Sequence, residues 1–291
     1  MDYVTCLEDF LPDFEAFIFD VYGVLHNGLR AIPETLAFLE SLQNSGKTVC
    51  ILSNAPFLTG HIVERLKTYG LLPSFYQHIL TAGSETQRHL IEQDTPDHAR
   101  LGPRCYFLGI PEMEEILQQT PLQKCSSLEE ADFILAAGPN EWGQNLEDYQ
   151  ELLDLAFKRE LPMVCANPDE YVFKGRERRL RAGLLARYYE SIGGNVIYHG
   201  KPYMNFYKPV LDEISEIPKE KILCIGDSFK TDIKGARECQ MKSLLVLSPL
   251  TYDEMGMTYD ENPPRKETRK NIFNEISKQV YTPDYVTQLT A

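Results

Sequence analysis

The 291 residues carry 43 acidic against 29 basic side chains, a formal net charge of −14, with 43% hydrophobic and 25% charged residues. That length supports one large α/β domain, or a core with a smaller second domain, and the composition is that of a globular chain. The negative charge repels polyphosphate backbones and anionic membranes at long range, so neither nucleic acid nor a membrane is expected as a partner.

Short apolar runs alternate with segments of helical period, the pattern of βα units around a largely parallel sheet. The stretch AFIFD (16–20) reads as the first strand, and IPETLAFLESLQNSG as the helix after it, with Pro33 in its first turn and Gly46 as its stop. KTVCILSNA is a second strand and TGHIVERLKTYGL its returning helix; QHILTAG and SETQRHLIEQ form a third unit. Two prolines and a glycine between Asp94 and Pro103 then break the rhythm.

A second α/β series starts at Arg104, with RCYFLG, PEMEEILQQ, ADFILAAG, LEDYQELLDLAFKRE, LPMVCANPD and RAGLLARYYESIGG. The first rhythm returns with FYKPVLDEISEI, KILCIGDS, TDIKGARECQ and KSLLVLS. This order predicts a core of residues 1–102 and 197–291 with an inserted α/β domain at 103–196. Pro249 to Lys270 is polar and reads as an exposed loop, before a last helix near RKNIFNEISKQV and a short edge strand near DYVTQ. The N-terminal stretch has neither a basic nor an apolar segment, and no run approaches the roughly 20 apolar residues needed to span a bilayer. A cytoplasmic location is the expectation. Seven cysteines without a CxxC pair predict free thiols.

Ligands of open parallel sheets bind beyond the carboxyl ends of strands. Asp20 ends the first strand, Ser53 and Asn54 the second, and Asp227 follows KILCIG, while Lys201 stands in HGKP ahead of a helix. Singly, each residue suits a cap, a turn or a solvated surface. Together they assemble carboxylates, an ammonium and a hydroxyl able to hold a divalent cation and a phosphate. Asp232 lies one turn beyond Asp227 and can orient that cluster.

These residues stand in the motifs DVYGV, ILSNA, GKP and GDSFKTD, in that order. The chain thereby resembles the haloacid dehalogenase superfamily, and specifically its NagD-like phosphatases with an inserted C2-type α/β cap; CANPDEYVF and AGLLARYYESIGG resemble that cap. The resemblance implies a Rossmann-like parallel-sheet core and a Mg2+-dependent phosphohydrolase of small phosphorylated metabolites. It implies Asp20 as the nucleophile that becomes an aspartyl-phosphate, with Ser53, Asn54 and Lys201 on the phosphate. It implies Asp20, the Tyr22 carbonyl, Asp227 and Asp232 as the metal site, and Asn167 and Asp169 as cap residues between a structural and a substrate-facing role. Lysine and metal offset the repulsion between an anionic nucleophile and an anionic phosphate.

The family pattern places an acid two residues after the nucleophile, where this chain has Tyr22. A phenol with a reference pKa of about 10 is a weak proton donor to an alkoxide and a poor base at neutral pH. Slow turnover is therefore one reading and phospho-ligand binding without turnover another. The 2-haloacid dehalogenases share Asp-x-Tyr-Gly but lack the acidic pair retained in GDSFKTD. His26 is a possible deputy acid or base, although its offset puts it in the loop; His199 near Lys201 is a similar case. The basic stretch FKGRERRLR (173–181) reads as a solvated helix start or as an arm attracting anionic substrate, and Trp142 as cap packing or a cleft-facing surface.

Overall fold

The apolar runs become strands in the computed structural model, which describes residues 1–289. In chain order they are β1 (Asp2–Tyr3), β2 (Ala16–Phe19), β3 (Thr48–Ser53), β4 (His78–Thr81), β5 (Arg104–Leu108), β6 (Gln123–Cys125), β7 (Phe133–Ala136), β8 (Met163–Cys165), β9 (Tyr171–Lys174), β10 (Glu177–Leu180), β11 (Val196–Tyr198), β12 (Ile222–Gly226), β13 (Lys242–Val246) and β14 (Tyr285–Thr287). They form a seven-stranded sheet ordered β1-β14-β13-β12-β2-β3-β4, a five-stranded sheet ordered β11-β8-β7-β5-β6, and a hairpin of β9 with β10. Both larger sheets are parallel throughout. The fold is α/β with a Rossmann-like core.

The first sheet winds outward from its centre in both directions. From β2 the chain proceeds to β3 and β4 on one side, and from β12 to β13 and β14 on the other. Strands β2 and β12 are neighbours in register, Phe19 opposite Ile225, so Asp20 and Asp227 emerge side by side where the strand order reverses. Such a switch point leaves a crevice at the carboxyl edge. The β2 side chains alternate between the two faces. Phe17 and Phe19 enter one apolar cluster while Ala16 and Ile18 enter the other. Phe17 meets Phe38 edge-on at 5.4 Å, and burying each such ring contributes roughly 1.5–3 kcal/mol.

The strands of the second sheet all come from 104–198. Val196–Tyr198 pairs with Met163–Cys165 and so continues this sheet past the expected boundary at 196. The glycine pair before it marks the end of the helix Ala182–Ser191 and not the end of the domain. FKGRERRLR is β-hairpin, not the solvated start of a helix: β9 and β10 pair across a turn in which Gly175 has φ +62°. Part of the expected loop after Pro249 is the helix Pro249–Glu254, capped by Ser248. Finally, β14 is not an edge strand, because β1 covers it. No disulfide forms among the described residues; Cys6 is exposed, Cys125 half-buried, and Cys50, Cys105, Cys165, Cys224 and Cys239 are buried. No helix among the described residues is long and apolar enough to cross a membrane.

Candidate active site

Asp20 is fixed by its backbone, whose N–H donates to the Ile225 carbonyl at 2.8 Å. The chain then turns sharply, with the Gly23 N–H donating to the His26 carbonyl at 2.8 Å. Gly23 has φ +83°, and a Cβ there would lie 2.0 Å from Asp227 Oδ2. Only glycine lets the loop come this close to that carboxylate.

Lys201 Nζ donates to Asp20 Oδ1 and, at 2.8 Å, to Asp232 Oδ1. Burial by itself would lower the lysine pKa, but Asp20, Asp232 and Asp169 outweigh it and raise it, so the ammonium is retained. Asp232 Oδ2 accepts the backbone N–H groups of Asp227 and Ser228, each at 3.2 Å. A widened helical turn, Phe229–Ile233, brings Asp232 back beneath the loop. Asp232 thus orients both the lysine and the loop that carries Asp227.

Asp20, Asp227 and Asp232 each place a carboxylate oxygen within 4.8 Å of the others. Burial, with Asp20 and Asp232 nearby, drives the Asp227 carboxyl well above its usual range. Burial likewise raises Asp20, against the opposing pull of Lys201. Three carboxylates sharing one ammonium leave excess negative charge in a buried, all-oxygen cluster, and this donor set fits a hard divalent cation.

Asp227 is supported by residues whose role the sequence reading missed. Ser248 Oγ donates to Asp227 Oδ2 at 2.6 Å, and Thr251 Oγ1 to the Asp227 carbonyl at 2.5 Å. Glu254 accepts from Ser228 Oγ at 2.8 Å and from the Phe229 N–H at 2.7 Å, and burial pushes its carboxyl up to about 7. All three belong to the helix Pro249–Glu254 and its cap. The signal was present as Ser248-Pro249-x-Thr251, an N-cap hydroxyl followed by proline at the first helical position.

Ser53 lines the cavity with Asp20 and Lys201, but Asn54 is spent on structure. Its Oδ1 accepts from the Lys201 N–H at 2.7 Å, while Nδ2 donates to the Lys201 carbonyl at 3.1 Å and to Asp169 Oδ1 at 2.7 Å. With both amide hydrogens engaged, the Asn54 side chain has no donor left for phosphate. Asn167, itself buried, accepts the Asp169 N–H at 3.1 Å. The Asn-Pro-Asp turn therefore clasps the second sheet's domain to the loop that follows Ser53.

Tyr22 turns its phenol toward Gly28, where a Cβ would lie 1.7 Å from the hydroxyl. Burial raises its pKa, and the charges that oppose this belong to Arg181, Arg65 and Arg179. His26 packs edge-on to Tyr22 at 4.9 Å and stacks on Tyr69 at 4.6 Å. Its Nδ1 accepts the Gly28 N–H at 3.0 Å, and burial lowers its pKa to about 3. A neutral ring with that nitrogen occupied is a loop-building group and a poor deputy for the acid.

His199 lies in a buried polar cluster beside Lys201 and off the cavity, its Nε2 2.9 Å from Nε2 of His98. Glu85, His89 and His199 also bring potential ligand atoms within 4.8 Å of one another. Arg88 Nη2 lies 2.7 Å from His89 Nε2, and Asp94 Oδ1 lies 2.5 Å from its Nδ1, so both His89 nitrogens are engaged by protein. Trp142 stands at the cavity rim, 46% exposed, under Arg181 and Arg179. The cavity, of about 270 Å3, is lined from both domains.

A haloacid dehalogenase-like hydrolase family model matches residues 17–123 and a HAD-hydrolase-like model residues 198–265. The ribonucleotide monophosphatase NagD of Escherichia coli is 24% identical over 236 residues, covering 79% of this chain and 86% of its own. A solved haloacid dehalogenase-like hydrolase from Brucella suis superposes with a TM-score of 0.77 at 28% identity, over 84% of this chain and 89% of its own. A glycerol phosphate phosphatase from Mycobacterium tuberculosis, solved with magnesium, shares the fold with a TM-score of 0.66 at 16% identity, over 97% and 77%. The chain belongs to the haloacid dehalogenase superfamily, as a hydrolase of the NagD-like phosphatase type.

Proposed function

We propose that the chain is a Mg2+-dependent phosphohydrolase of a small phosphorylated metabolite, acting through an aspartyl-phosphate on Asp20. The observation that carries this reading is the Lys201 ammonium held between Asp20 and Asp232, with Asp227 at the neighbouring strand end. A carboxylate oxygen of Asp20 attacks phosphorus, the ester P–O bond breaks, and the leaving oxygen takes a proton. Water then attacks the same phosphorus, breaking its bond to Asp20 and releasing phosphate. Lys201 offsets the negative charge on nucleophile and phosphoryl group, and Ser53 donates to a phosphoryl oxygen. Asp20, Asp227 and the Tyr22 carbonyl would hold Mg2+, with Asp232 orienting the cluster. Bound there, the ion would supply charge neutralisation at the phosphoryl group.

The phenol of Tyr22 faces Gly28 and the cap arginines, which leaves no acid at that position to protonate an alkoxide. Esters with good leaving groups need little such help, so the expected activity is fast on aryl and slow on alkyl phosphates. Phosphate release from an aryl ester, followed with and without Mg2+ in the wild type and in Asp20→Asn, tests the proposal. Turnover that requires both Mg2+ and Asp20 supports it. Phosphate binding without turnover of any aryl ester would favour a phospho-ligand-binding protein instead.

A further inference from the structure

Three guanidinium groups line the same cavity as Asp20: Arg65 from the core helix Thr59–Thr68, and Arg179 and Arg181 from the end of the cap hairpin. Among the described residues no carboxylate lies within 4.0 Å of Arg65 or Arg181, whereas Arg179 pairs with Glu177 at 2.7 Å. Arg179 Nε is fully buried and has no hydrogen-bond partner. Arg181 donates from Nη1 only to its neighbour's carbonyl, Leu180 O, at 3.0 Å. Both cap arginines lie over the Trp142 ring, with guanidinium carbons 5.1 and 5.6 Å from its centroid.

Gathering like charges in a half-buried cavity costs free energy unless an anion joins them. The cost is visible at Arg181, whose pKa falls to about 10 because burial outweighs the opposing influence of Tyr22 and Asp169, with Arg179 and Arg65 adding to the decrease. These groups are not the charges that act most strongly at Asp20. Lys201, Asp232 and Asp169 are the charges that dominate at Asp20, whereas the Tyr22 phenol feels Arg181, Arg65 and Arg179. Asp169 feels both Lys201 and Arg181, so the lysine and the arginines share one cavity around it.

We infer that Arg181, Arg179 and Arg65 form a second anion subsite, and that the substrate is a phosphate monoester bearing another anionic group, a carboxylate or a second phosphate, at its far end. This rests on the phosphohydrolase reading above for the first end of the substrate. The second end follows from the arginines alone, because a planar fork of N–H donors suits carboxylate and phosphate oxygens. A cavity of about 270 Å3 limits the connecting part to a small skeleton.

The test compares 4-carboxyphenyl phosphate with 4-carbamoylphenyl phosphate, nearly equal in shape and differing in charge. Wild type should favour the carboxylate by about 10-fold or more in kcat/KM, the scale of one charge-assisted contact. In Arg181→Gln this ratio should fall toward one, with Arg181→Lys between. A wild-type ratio near one, a ratio kept in Arg181→Gln, or an equal loss on both esters would overturn the subsite. Thermal unfolding checks that Arg181→Gln is folded; if it is not, Arg65→Gln gives the same readout from the core side. Calorimetric binding of 4-carboxybenzylphosphonate and 4-carbamoylbenzylphosphonate separates the two ideas. A carboxylate preference lost in Arg181→Gln, in a protein that turns over no ester, upholds the subsite and refutes the hydrolase.

Discussion

Tyr22 is the residue at which this chain departs from its family, and Gly28 shows how the loop accommodates it. The phenol fills space that any side chain at position 28 would occupy, so the substitution is built into the loop. Replacing Tyr22 by Asp should raise kcat/KM for an alkyl phosphate relative to an aryl phosphate, since only the alkoxide needs a proton on departure. The gain should fall short of the roughly 10²- to 10⁴-fold of a positioned acid, because removing the ring leaves a void and adds charge beside Asp20. An unmoved alkyl-to-aryl ratio would mean that some other group already protonates the leaving oxygen. Asp227→Ala should weaken Mg2+ binding strongly, as one anionic ligand is lost to a small hard cation; equal Mg2+ affinity by calorimetry would remove Asp227 from the metal site. Asp20, Ser53, Lys201 and Asp227 were legible because each follows directly on an apolar strand or a distinctive motif. Asn54 was not, since its partners Lys201 and Asp169 lie 147 and 115 residues away in sequence.

Two short elements escaped the sequence reading for a common reason. The helix Pro249–Glu254 spans six residues, too few to display a helical period. In the hairpin, β10 is three charged residues and a leucine, and β9 is only four residues long, too short to display an alternating apolar face. What each does depends on its contacts across the domain boundary. The hairpin turn rests on the first-motif loop through the Gly175 N–H and the Asn27 carbonyl at 3.4 Å. Beside it, Lys230 pairs with Glu170 at 2.7 Å and Arg178 with Asp253 at 3.4 Å. Ser248 caps its helix and also holds Asp227, so Ser248→Ala should act twice. Loss of the cap should cost about 1 kcal/mol of stability, read in urea unfolding. Loss of the hydrogen bond to Asp227 should weaken Mg2+ binding as well. A variant with lower stability and unaltered Mg2+ affinity would leave Ser248 a role in folding only.

At the scale of the molecule, the two segments connecting the domains are fastened together. His98 lies on the outgoing segment and His199 on the returning one, both nearly inaccessible at 3% and 4% exposure. His98 also contacts Thr95 Oγ1 at 2.6 Å, while His89, Arg88, Asp94 and Glu85 complete the surroundings. Burial, with His199 and His89 nearby, lowers the His98 pKa to about 4. A depressed histidine pKa contributes stability above the unfolded value of about 6.5 and loses it as pH falls toward 4. Between pH 7.5 and 5 this amounts to about 2 kcal/mol. His98→Gln should flatten the decline of stability over that range, and an unchanged slope would place the acid sensitivity elsewhere.

The same histidine pair has a consequence for how the gene can be edited. A segment whose two ends meet within one side-chain contact can be lifted out and the gap closed with a short turn. Every strand of the seven-stranded sheet lies outside 104–198, so a chain with 101–198 replaced by a few glycine and serine residues should still form that sheet. The shortened protein would present its nucleophile to bulk water and accept leaving groups of any size, at the expense of choosing among them. Grafting a foreign insert at the same junction would then reprogram substrate choice, provided that it restores a carboxylate partner for Asn54 in place of Asp169.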